Sequence, residues 1–437
     1  MINNLCKIRL AIGIISFANR LLALSIPLVG NVGPRLATAT MTEHPNKNKS
    51  TQETTNYNGR DTCTDNNGQV CNTDTRLTAS YSTVFANISS SLVSMRWCPT
   101  SEEKLAEAES NLLKHLKRPF KAYFVDIGEG WGCKVNNIRT LEMLVDNKED
   151  SEKKIESKHP LVMVHGFAAG IGTWILNLDK LASTIERKIY AIDVIGFARS
   201  SRAPFDTTGD VEGQFVDSIE RWRAKVGIDK FILLGHSFGG YLCASYALRH
   251  PERVSHVILA DPWGVQDRKA SPNHGTYRFP FWVRAVTTVL QAFNPLAVLR
   301  MSGPYGPSLV HKLRGDLRVK FRPMLGDDCD KFLDYIYHCN TQEATGETAF
   351  KALALPYGWP KNPLINRLVD LNESVSLTFI YGSRSWIEKA PGELLRDCLT
   401  PDRVVVNEIE GSGHHVYADK HEEFNELVKE ACKKVPS

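Results

Sequence analysis

The hexapeptide Gly235–Gly240, with the sequence Gly-His-Ser-Phe-Gly-Gly, constrains the fold of this chain more than any other stretch. An apolar run, Lys230–Leu234, precedes it, and the residues that follow, Tyr241–Leu248, have helical character. This G-x-S-x-G pattern is typical of a strand that turns sharply into a helix and lifts the serine above the end of a sheet. Glycine flanks the serine because it tolerates the close approach and strained dihedrals of such a turn. We therefore predict that Ser237 is a nucleophile and not a polar residue of an ordinary turn.

Strand and helix patterns alternate along most of the chain from residue 119 onward. This alternation is typical of a mostly parallel, doubly wound sheet, which places the chain in the α/β class. Two earlier strands, at 120–127 and 138–145, are predicted to be antiparallel edge strands, with a charged exposed loop at 146–158. The alternation breaks at about 264–372, and an insertion of this length between two sheet strands indicates a largely helical cap. The predicted parallel strands are 161–164, 189–193, 231–234, 254–260, 375–381 and 404–410, and the predicted helices are 174–183, 211–226, 239–249 and 422–433, with helical patches at 281–293 and 331–339 in the cap.

The N-terminal part of the chain has a different composition from the rest. Residues 1–42 contain no Asp or Glu and carry four basic residues, which is typical of a mitochondrial transit peptide, with a secretory signal as the alternative. The apolar runs within them are each too short to cross a bilayer. Residues 43–90 are polar, lack apolar periodicity and are predicted to be a disordered linker. A helix is predicted at 102–116, with Ser101 as its N-cap, within an N-terminal segment that spans residues 91–118.

Net charge and cysteine content limit the function classes. The 437 residues carry a formal net charge of +4 and no nucleic-acid motif, so nucleic acid is not an expected partner. The ten cysteines are scattered without CxxC or metal-like spacing, which predicts free thiols in a reducing compartment and no metal site. A disulfide between Cys63 and Cys71 is the alternative if the chain is secreted. No cofactor is expected.

A serine hydroxyl needs a base to take its proton, and in α/β-hydrolases the order along the chain is serine, then acid, then histidine. His414 lies just past the last predicted strand and is our candidate base, with its neighbour His415 as the alternative. The acid usually lies in the turn after the preceding strand, but here Ser385 stands where an Asp would be expected. Glu388, three residues later, is slightly favoured as the acid. Asp261, at the end of an earlier strand, is the alternative acid.

Two backbone N–H groups must stabilise the oxyanion that forms when a serine attacks a carbonyl. Phe238, directly after the nucleophile, is predicted to supply one, and Phe167, after a His-Gly pair, is placed to supply the other. His414 and Asp419 also form an H-x-x-x-x-D pattern, as in glycerolipid acyltransferases. The alternative for Asp419 is a capping box at the start of the closing helix.

Two sequence features point towards a lipid. Between Arg278 and Arg322 there are eight Lys or Arg residues and one acid, Asp316. A basic, aromatic cap suits an anionic long-chain substrate or a phospholipid surface, and a solvated basic face is the alternative. A short apolar cluster at 92–97 would suit a membrane surface, although packing against the domain is favoured.

Six stretches, in the cap as well as the core, match one known family: Trp97–Ser101, His165–Phe167, Ala260–Gly264, Tyr335–Asn340, Gly346–Phe350 and His415–Asp419. On these residues the chain from Trp97 onward resembles the abhydrolase domain-containing protein 4 and protein 5 group. The resemblance implies the α/β-hydrolase fold and a role in lipid metabolism. The implied activities are hydrolysis of lysophospholipids or N-acylated phosphatidylethanolamines, acyl transfer from acyl-CoA to lysophosphatidic acid, or co-activation of a triglyceride lipase at lipid droplets.

Individual residues of this sequence match different members of that group. Ser237 matches protein 4, because protein 5 has Asn at the nucleophile, whereas Arg384 and Gly413 match protein 5, where the resemblance implies contact with a partner lipase. The leading hypothesis is a serine acyl hydrolase or acyltransferase for phospholipids, with acyl-CoA as a co-substrate for transfer. The alternative is a non-catalytic lipid-droplet protein that activates a lipase. Both hypotheses place the protein inside the cell at a membrane or lipid-droplet surface, or in the mitochondrion if the leader acts as a transit peptide.

Overall fold

The computed structural model describes residues 97–144, 158–269, 294–355 and 358–435. The predicted leader and linker, nearly all of the charged loop and the helical patch at 281–293 lie outside the described residues. The strands are β1 (Phe120–Asp126), β2 (Asn137–Met143), β3 (Leu161–Val164), β4 (Ile189–Ile192), β5 (Phe231–His236), β6 (Val254–Ala260), β7 (Ser376–Gly382) and β8 (Val404–Ile409). Within the described residues they form one eight-stranded sheet in the order β1-β2-β4-β3-β5-β6-β7-β8.

The sheet is parallel except at one end. β1 pairs with β2, and β2 pairs with β4. Both pairings are antiparallel as predicted, but of the two predicted edge strands only β1 lies at the edge of the sheet. The remaining neighbours pair in parallel. All residues of β3 and β5 are buried, because helices cover both faces of the sheet. The carboxyl ends of the parallel strands meet at one edge, and the loops that carry Ser237, Asp261 and His414 follow β5, β6 and β8 there.

The helices pack against the sheet in two hydrophobic clusters, one on each face. They are α1 (Glu102–Leu113), α2 (Ile175–Thr184), α3 (Val211–Val226), α4 (Phe238–Arg249), α5 (Ala297–Met301), α6 (Gly306–Leu313), α7 (Gly315–Leu325), α8 (Asp330–Thr341), α9 (Thr345–Leu353), α10 (Ile365–Leu368), α11 (Ala390–Leu399), α12 (Val416–Asp419) and α13 (His421–Lys433). Short 3-10 turns lie at Ile171–Trp174, Pro251–Arg253, Gly303–Tyr305 and Gly326–Cys329.

Local capping chemistry fixes two of the helix starts. α1 begins after Ser101, whose hydroxyl accepts a hydrogen bond from the Lys104 N–H (3.2 Å), as predicted. α3 begins after Asp210, whose carboxylate accepts a hydrogen bond from the Gly213 N–H (2.8 Å). It ends at Gly227, which has a φ of 80° in the left-handed region that glycine favours. These signals explain why the predicted bounds of α3 match the observed ones.

The described part of the insertion between β6 and β7 is helical and comprises α5 to α10. Phe321 of α7 and Phe332 of α8 stack with ring centroids 3.5 Å apart, and both are buried in the same hydrophobic cluster as one face of the sheet. α1 joins this cap to the sheet. On one side, the hydroxyl of Thr100, just before α1, lies 2.9 Å from Nδ1 of His338 in α8. On the other side, buried Glu109 of α1 accepts hydrogen bonds from the sheet and the loop after β4, through the guanidinium groups of Arg139 and Arg199.

Three further observations hold for the described residues. No described helix is both long enough and apolar enough to cross a bilayer. The seven described cysteines have free thiols. Within the same ranges, no group of His, Cys, Asp and Glu side chains is arranged to hold a metal ion.

Candidate active site

The turn between β5 and α4 holds Ser237 at the end of the sheet with a strained backbone. Ser237 has a φ of 51° and a ψ of −115°, a conformation that few residues other than glycine adopt. A Cβ on Gly235 would lie 2.3 Å from the carbonyl oxygen of Gly239, and a Cβ on Gly239 would lie 2.3 Å from that of Val164. Close packing therefore requires glycine at both positions, as the sequence pattern predicts.

Three side chains, each from the loop after a different strand, are linked by two hydrogen bonds. His414 Nε2 lies 3.0 Å from Ser237 Oγ, and His414 Nδ1 lies 2.6 Å from Asp261 Oδ2. Asp261 is fully buried, Ser237 is buried and His414 is half-buried. Because a carboxylate only accepts hydrogen bonds, Nδ1 carries a proton and Nε2 is left to accept the proton of the serine hydroxyl. This is the arrangement that activates a serine as a nucleophile.

The carboxylate that contacts His414 belongs to Asp261, which corrects the sequence-based preference for Glu388. Glu388 lies in the turn after β7, and its Oε2 accepts a hydrogen bond from Gln266 Nε2 (2.9 Å). Asp261 reaches His414 because it follows β6, the strand next to β5, and turns with a φ of 45°. Sequence order cannot separate the two acids, since the strands that precede them end at the same edge of the sheet.

Two other histidines next to Ser237 support the site without contacting its hydroxyl. His236 Nε2 donates a hydrogen bond to the carbonyl oxygen of His414 (2.9 Å), and His415 Nδ1 lies 3.2 Å from Lys320 Nζ in α7. Burial holds the pKa of both His236 and His415 well below the ordinary value, and nearby His414 and Lys320 add to the effect. Both rings are therefore neutral near pH 7. The structure places His414, and not the alternative His415, on the serine.

The loop after β3 brings Phe167 beside the nucleophile. A Cβ on Gly166 would lie 3.3 Å from the Cβ of Ser237, so the loop passes directly next to the turn. Within the described residues, the backbone N–H groups of Phe167 and Phe238 donate no hydrogen bond, which is what an oxyanion hole requires. His165 anchors the loop through Nε2, which accepts a hydrogen bond from the Val194 N–H (3.0 Å), while its Nδ1 lies 2.7 Å from the carbonyl oxygen of Gly166. Burial lowers the pKa of His165 to about 4 and keeps it neutral.

The cap holds the same loop through two residues that the sequence did not identify as site residues. Asn340 Nδ2 donates a hydrogen bond to the carbonyl oxygen of Ala168 (2.9 Å), which has a positive φ of 61°. The Tyr335 hydroxyl accepts a hydrogen bond from the Gly172 N–H (3.2 Å). These contacts join residues 172 and 163 positions apart, so no local pattern reveals them. The one available signal is that both cap residues belong to a stretch that matches the known family.

Asp419 of the H-x-x-x-x-D pattern contacts the backbone beside His414. One carboxylate oxygen accepts a hydrogen bond from the Gly413 N–H (2.8 Å), and the other lies 2.9 Å from Lys320 Nζ. The capping-box alternative is wrong, because α13 begins after Lys420 and has no side-chain cap. Asp419 thus connects the loop of His414 to cap helix α7.

Arg384 and Gly413 lie on neighbouring segments at the rim of the site. Arg384 is exposed, and its backbone N–H donates to the carbonyl oxygen of Ser412 (2.8 Å), the residue before Gly413. Trp386 is 37% exposed, and its ring centroid lies 5.2 Å from that of His414. The rim therefore carries a cation and an aromatic ring close to the candidate base.

Most basic residues of the cap are paired with acids where the structure describes them. Arg300 is buried, and its guanidinium lies 2.7 Å from Glu347 Oε2. Lys312 and Arg322 are exposed and add positive charge to the cap surface. Among the eight basic residues from Arg278 to Arg322, the other described pairs are Arg314–Asp316, Arg318–Asp330 and Lys320–Asp419, while Arg278 and Arg284 lie outside the described residues.

Known proteins resemble this chain over most of its described length. The chain is 45% identical over 334 residues to the 1-acylglycerol-3-phosphate O-acyltransferase ABHD5 of Mus musculus, which covers 76% of this chain and 90% of that protein. It is 43% identical over 339 residues to the (lyso)-N-acylphosphatidylethanolamine lipase of Bos taurus, which covers 77% of this chain and 93% of that protein. These relatives confirm the resemblance that the six sequence stretches indicate.

The fold has solved counterparts, and a family model matches the sequence. The structure of a membrane phospholipase A, described as a novel bacterial virulence factor, superimposes with a TM-score of 0.51 at 20% identity, over 75% of this chain and 90% of that one. At that identity the likeness shows the fold alone. A family model described as the alpha/beta hydrolase fold matches residues 159–420. The predicted fold is confirmed, and the chain belongs to the α/β-hydrolase family.

Proposed function

We propose that the protein is a serine-dependent acyl hydrolase or acyltransferase that acts on phospholipids or lysophospholipids. The observation that carries this proposal is the hydrogen-bonded chain from Ser237 through His414 to Asp261. The lipid class is inferred from the relatives, which are named as a 1-acylglycerol-3-phosphate O-acyltransferase and a (lyso)-N-acylphosphatidylethanolamine lipase.

In the first half of the reaction, Ser237 Oγ attacks the acyl carbonyl while His414 Nε2 takes the hydroxyl proton. Asp261 holds Nδ1 of the ring and stabilises the imidazolium that forms. The N–H groups of Phe167 and Phe238 stabilise the oxyanion of the tetrahedral intermediate. The intermediate collapses when the bond to the leaving group breaks, and His414 returns its proton to that group. The acyl chain is then an ester on Ser237.

In the second half, His414 takes a proton from the acceptor, which attacks the acyl ester and restores the Ser237 hydroxyl. Water as the acceptor gives a free fatty acid, and the hydroxyl of a lysophospholipid gives a diacyl product. For transfer, acyl-CoA would act as the acyl donor and release its thiol. The same side chains serve both versions, so the choice depends on which acceptor reaches the acyl ester.

An apolar patch at the edge of the cap supports the proposal that the protein works at a membrane or lipid-droplet surface. This cap-edge patch consists of Trp97, Met301 and Tyr305, which are 46%, 49% and 73% exposed. The Trp97 indole N–H donates to the carbonyl oxygen of Met301 (3.0 Å), which fixes the ring at the surface. Exposed aromatic and apolar side chains of this kind insert into the interfacial region of a bilayer, and Lys312 and Arg322 would favour anionic lipids.

A second candidate function is co-activation of a partner lipase. The exposure of Arg384 beside Gly413 at the rim favours it, since arginine is enriched in protein–protein interfaces. Under this candidate, Arg384→Ala would lower the stimulation of a triglyceride lipase while labelling of Ser237 stays unchanged. A loss of labelling in Arg384→Ala would instead assign the residue to the catalytic site.

Labelling with a fluorophosphonate tests the primary proposal. We expect the wild type to be labelled and Ser237→Ala to remain unlabelled, with thermal midpoints that agree. Product analysis with lysophosphatidic acid plus acyl-CoA, and separately with N-acyl lysophosphatidylethanolamine, then assigns transfer or hydrolysis. An unlabelled wild type that turns over neither lipid would overturn the proposal.

A further inference from the structure

The buried carboxylate of Asp261 receives hydrogen bonds from three directions. Oδ1 accepts one from the Gly382 N–H (3.2 Å). Oδ2 accepts one from His414 Nδ1 (2.6 Å) and a second from the Ser385 hydroxyl (2.5 Å). The oxygen that contacts the candidate base is therefore shared with a serine that has no place in the proposed mechanism so far.

The direction of the Ser385 hydroxyl is set by its other neighbour. Ser385 Oγ accepts a hydrogen bond from the Ile387 N–H (3.1 Å), which occupies one of its lone pairs. A hydroxyl has one proton, and a carboxylate can only accept, so the Ser385 proton points at Asp261 Oδ2. The Ser385 N–H also bonds to the carbonyl oxygen of Gly382 (2.9 Å), which closes the turn after β7 and holds the side chain in place.

Position 385 is also where the order of strands places the acid in this fold. In this chain the carboxylate comes from the end of β6 and the hydroxyl from the turn after β7, and the two side chains meet. At this position the chain therefore places a hydrogen-bond donor to the acid, with Ser385 Oγ 2.5 Å from the oxygen that touches the His414 ring.

We propose that Ser385 is a positioning residue that fixes the Asp261 carboxylate for His414. The inference rests on the proposed function of Ser237. A hydrogen bond to an ionised group is stronger than one between neutral groups, and here it holds the plane of the carboxylate while the imidazolium forms. The effect belongs to the transition state, so it changes kcat and leaves KM alone.

Steady-state kinetics on a chromogenic short-chain ester test the positioning role. We expect Ser385→Ala to lower kcat about 10- to 100-fold at unchanged KM, and Ser385→Thr, which keeps the hydroxyl, to restore most of the loss. Ser383→Ala is the matched control, because Ser383 lies on the same turn and its Oγ accepts from the Gly411 N–H (2.8 Å) instead of bonding to Asp261. A wild-type kcat in Ser385→Ala, or an equal loss in Ser385→Thr, would overturn the positioning role.

A double variant tests the placement of Ser385 beside the acid and the ring. Asp261→Asn should lose nearly all turnover, and the double variant Asp261→Asn with Ser385→Asp should regain at least tenfold over the single variant. Such a gain cannot arise from misfolding and would support the placement of Ser385 beside the carboxylate, whereas no gain would contradict that placement. If the wild type itself neither turns over the ester nor reacts with a fluorophosphonate, the proposed function fails. If the wild type is active and the Ser385 variants behave like it, the present inference alone fails.

Discussion

At the scale of single residues, two strained backbones hold the nucleophile and the acid together. Ser237 and Asp261 both have positive φ, directly after β5 and β6. Their loops are bonded to each other, since the Ser237 N–H donates to the Ala260 carbonyl oxygen (3.0 Å) and the Trp263 N–H donates to the Ser237 carbonyl oxygen (3.1 Å). Backbone strain of this kind costs about 1–3 kcal/mol per residue and persists only when the surroundings enforce it. Each loop therefore sets the position of the other.

The identity of the acid gives a prediction at this scale. Asp261→Asn should lower kcat by about four orders of magnitude, because the ring of His414 loses the partner that fixes its tautomer and stabilises its charge. Glu388→Gln is the matched control, and we expect it to retain wild-type labelling by a fluorophosphonate. Labelling rates and thermal midpoints of both variants are the measurements. A comparable loss in Glu388→Gln would contradict the assignment.

Buried histidines give a pH prediction. Burial lowers the pKa of His165 and His256 to about 4, against about 6.5 in an unfolded chain. The unfolded chain therefore binds more protons between these values, so the free energy of unfolding falls as the pH drops from about 6.5 towards 4. Each such group contributes up to about 1.4 kcal/mol per pH unit in that window.

Urea unfolding at several pH values in the window measures this slope. His256 is suited to the test because it lies on β6, away from Ser237, with Nδ1 2.6 Å from Ser376 Oγ and Nε2 2.9 Å from Thr378 Oγ1. The slope measures how many protons the chain takes up on unfolding. We expect His256→Gln to lower that number by about one, while kcat at neutral pH persists. An unchanged slope would show that His256 does not titrate on unfolding.

At the scale of elements, two helices of the cap support the loops at the ends of the strands. α8 supplies Asn340 to the loop that carries Phe167, and α7 supplies Lys320 to the loop that carries His414 through Asp419. The sheet places the nucleophile, acid and base, while the cap fixes the loops around them. A displacement of the cap would therefore disturb the loop that carries Phe167 and the loop that carries His414 together.

This arrangement predicts what Asp419 does. Asp419→Ala should lower kcat about tenfold for hydrolysis and transfer alike, because the Gly413 N–H loses its acceptor and His414 loses its fixed position. Lys320→Met should have a smaller effect, since Asp419 still accepts from Gly413. Parallel assays with water and with a lysophospholipid as acceptor provide the measurement. A loss of transfer alone would instead make Asp419 a specific part of the acyltransferase step.

At the scale of the whole molecule, the cap-edge patch sets how the protein meets a lipid surface. We expect flotation with vesicles that contain anionic phospholipid to recover the wild type, and Tyr305→Ala to weaken binding several-fold because an exposed interfacial aromatic is removed. Val135→Ala is the matched control, since Val135 is 56% exposed but lies on the connection between β1 and β2. Equal loss in both variants would contradict a role for the patch.

The sequence predicts the sheet, the nucleophile and the base because their signals are local. Gly235–Gly240 carries its own packing requirement, and His414 follows a strand that alternation identifies. The acid and the cap contacts depend instead on which loops meet across the sheet. Whether Asp261 or Glu388 reaches His414 is set by strand order and by one positive φ. The contacts of Asn340 and Lys320 join residues far apart in the sequence, and a periodic pattern of apolar residues does not predict such contacts.

The position of α1 between the cap and the sheet determines which residues a fragment needs in order to fold by itself. The sheet pattern begins near Pro119, yet Leu105 and Leu112 of α1 are buried between the cap and the sheet. A shortened chain that begins at Pro119 would expose the apolar side of α8 and leave the guanidinium groups of Arg139 and Arg199 without the carboxylate of Glu109. We therefore expect a fragment that folds by itself to include α1, and one that begins at Pro119 to aggregate on expression.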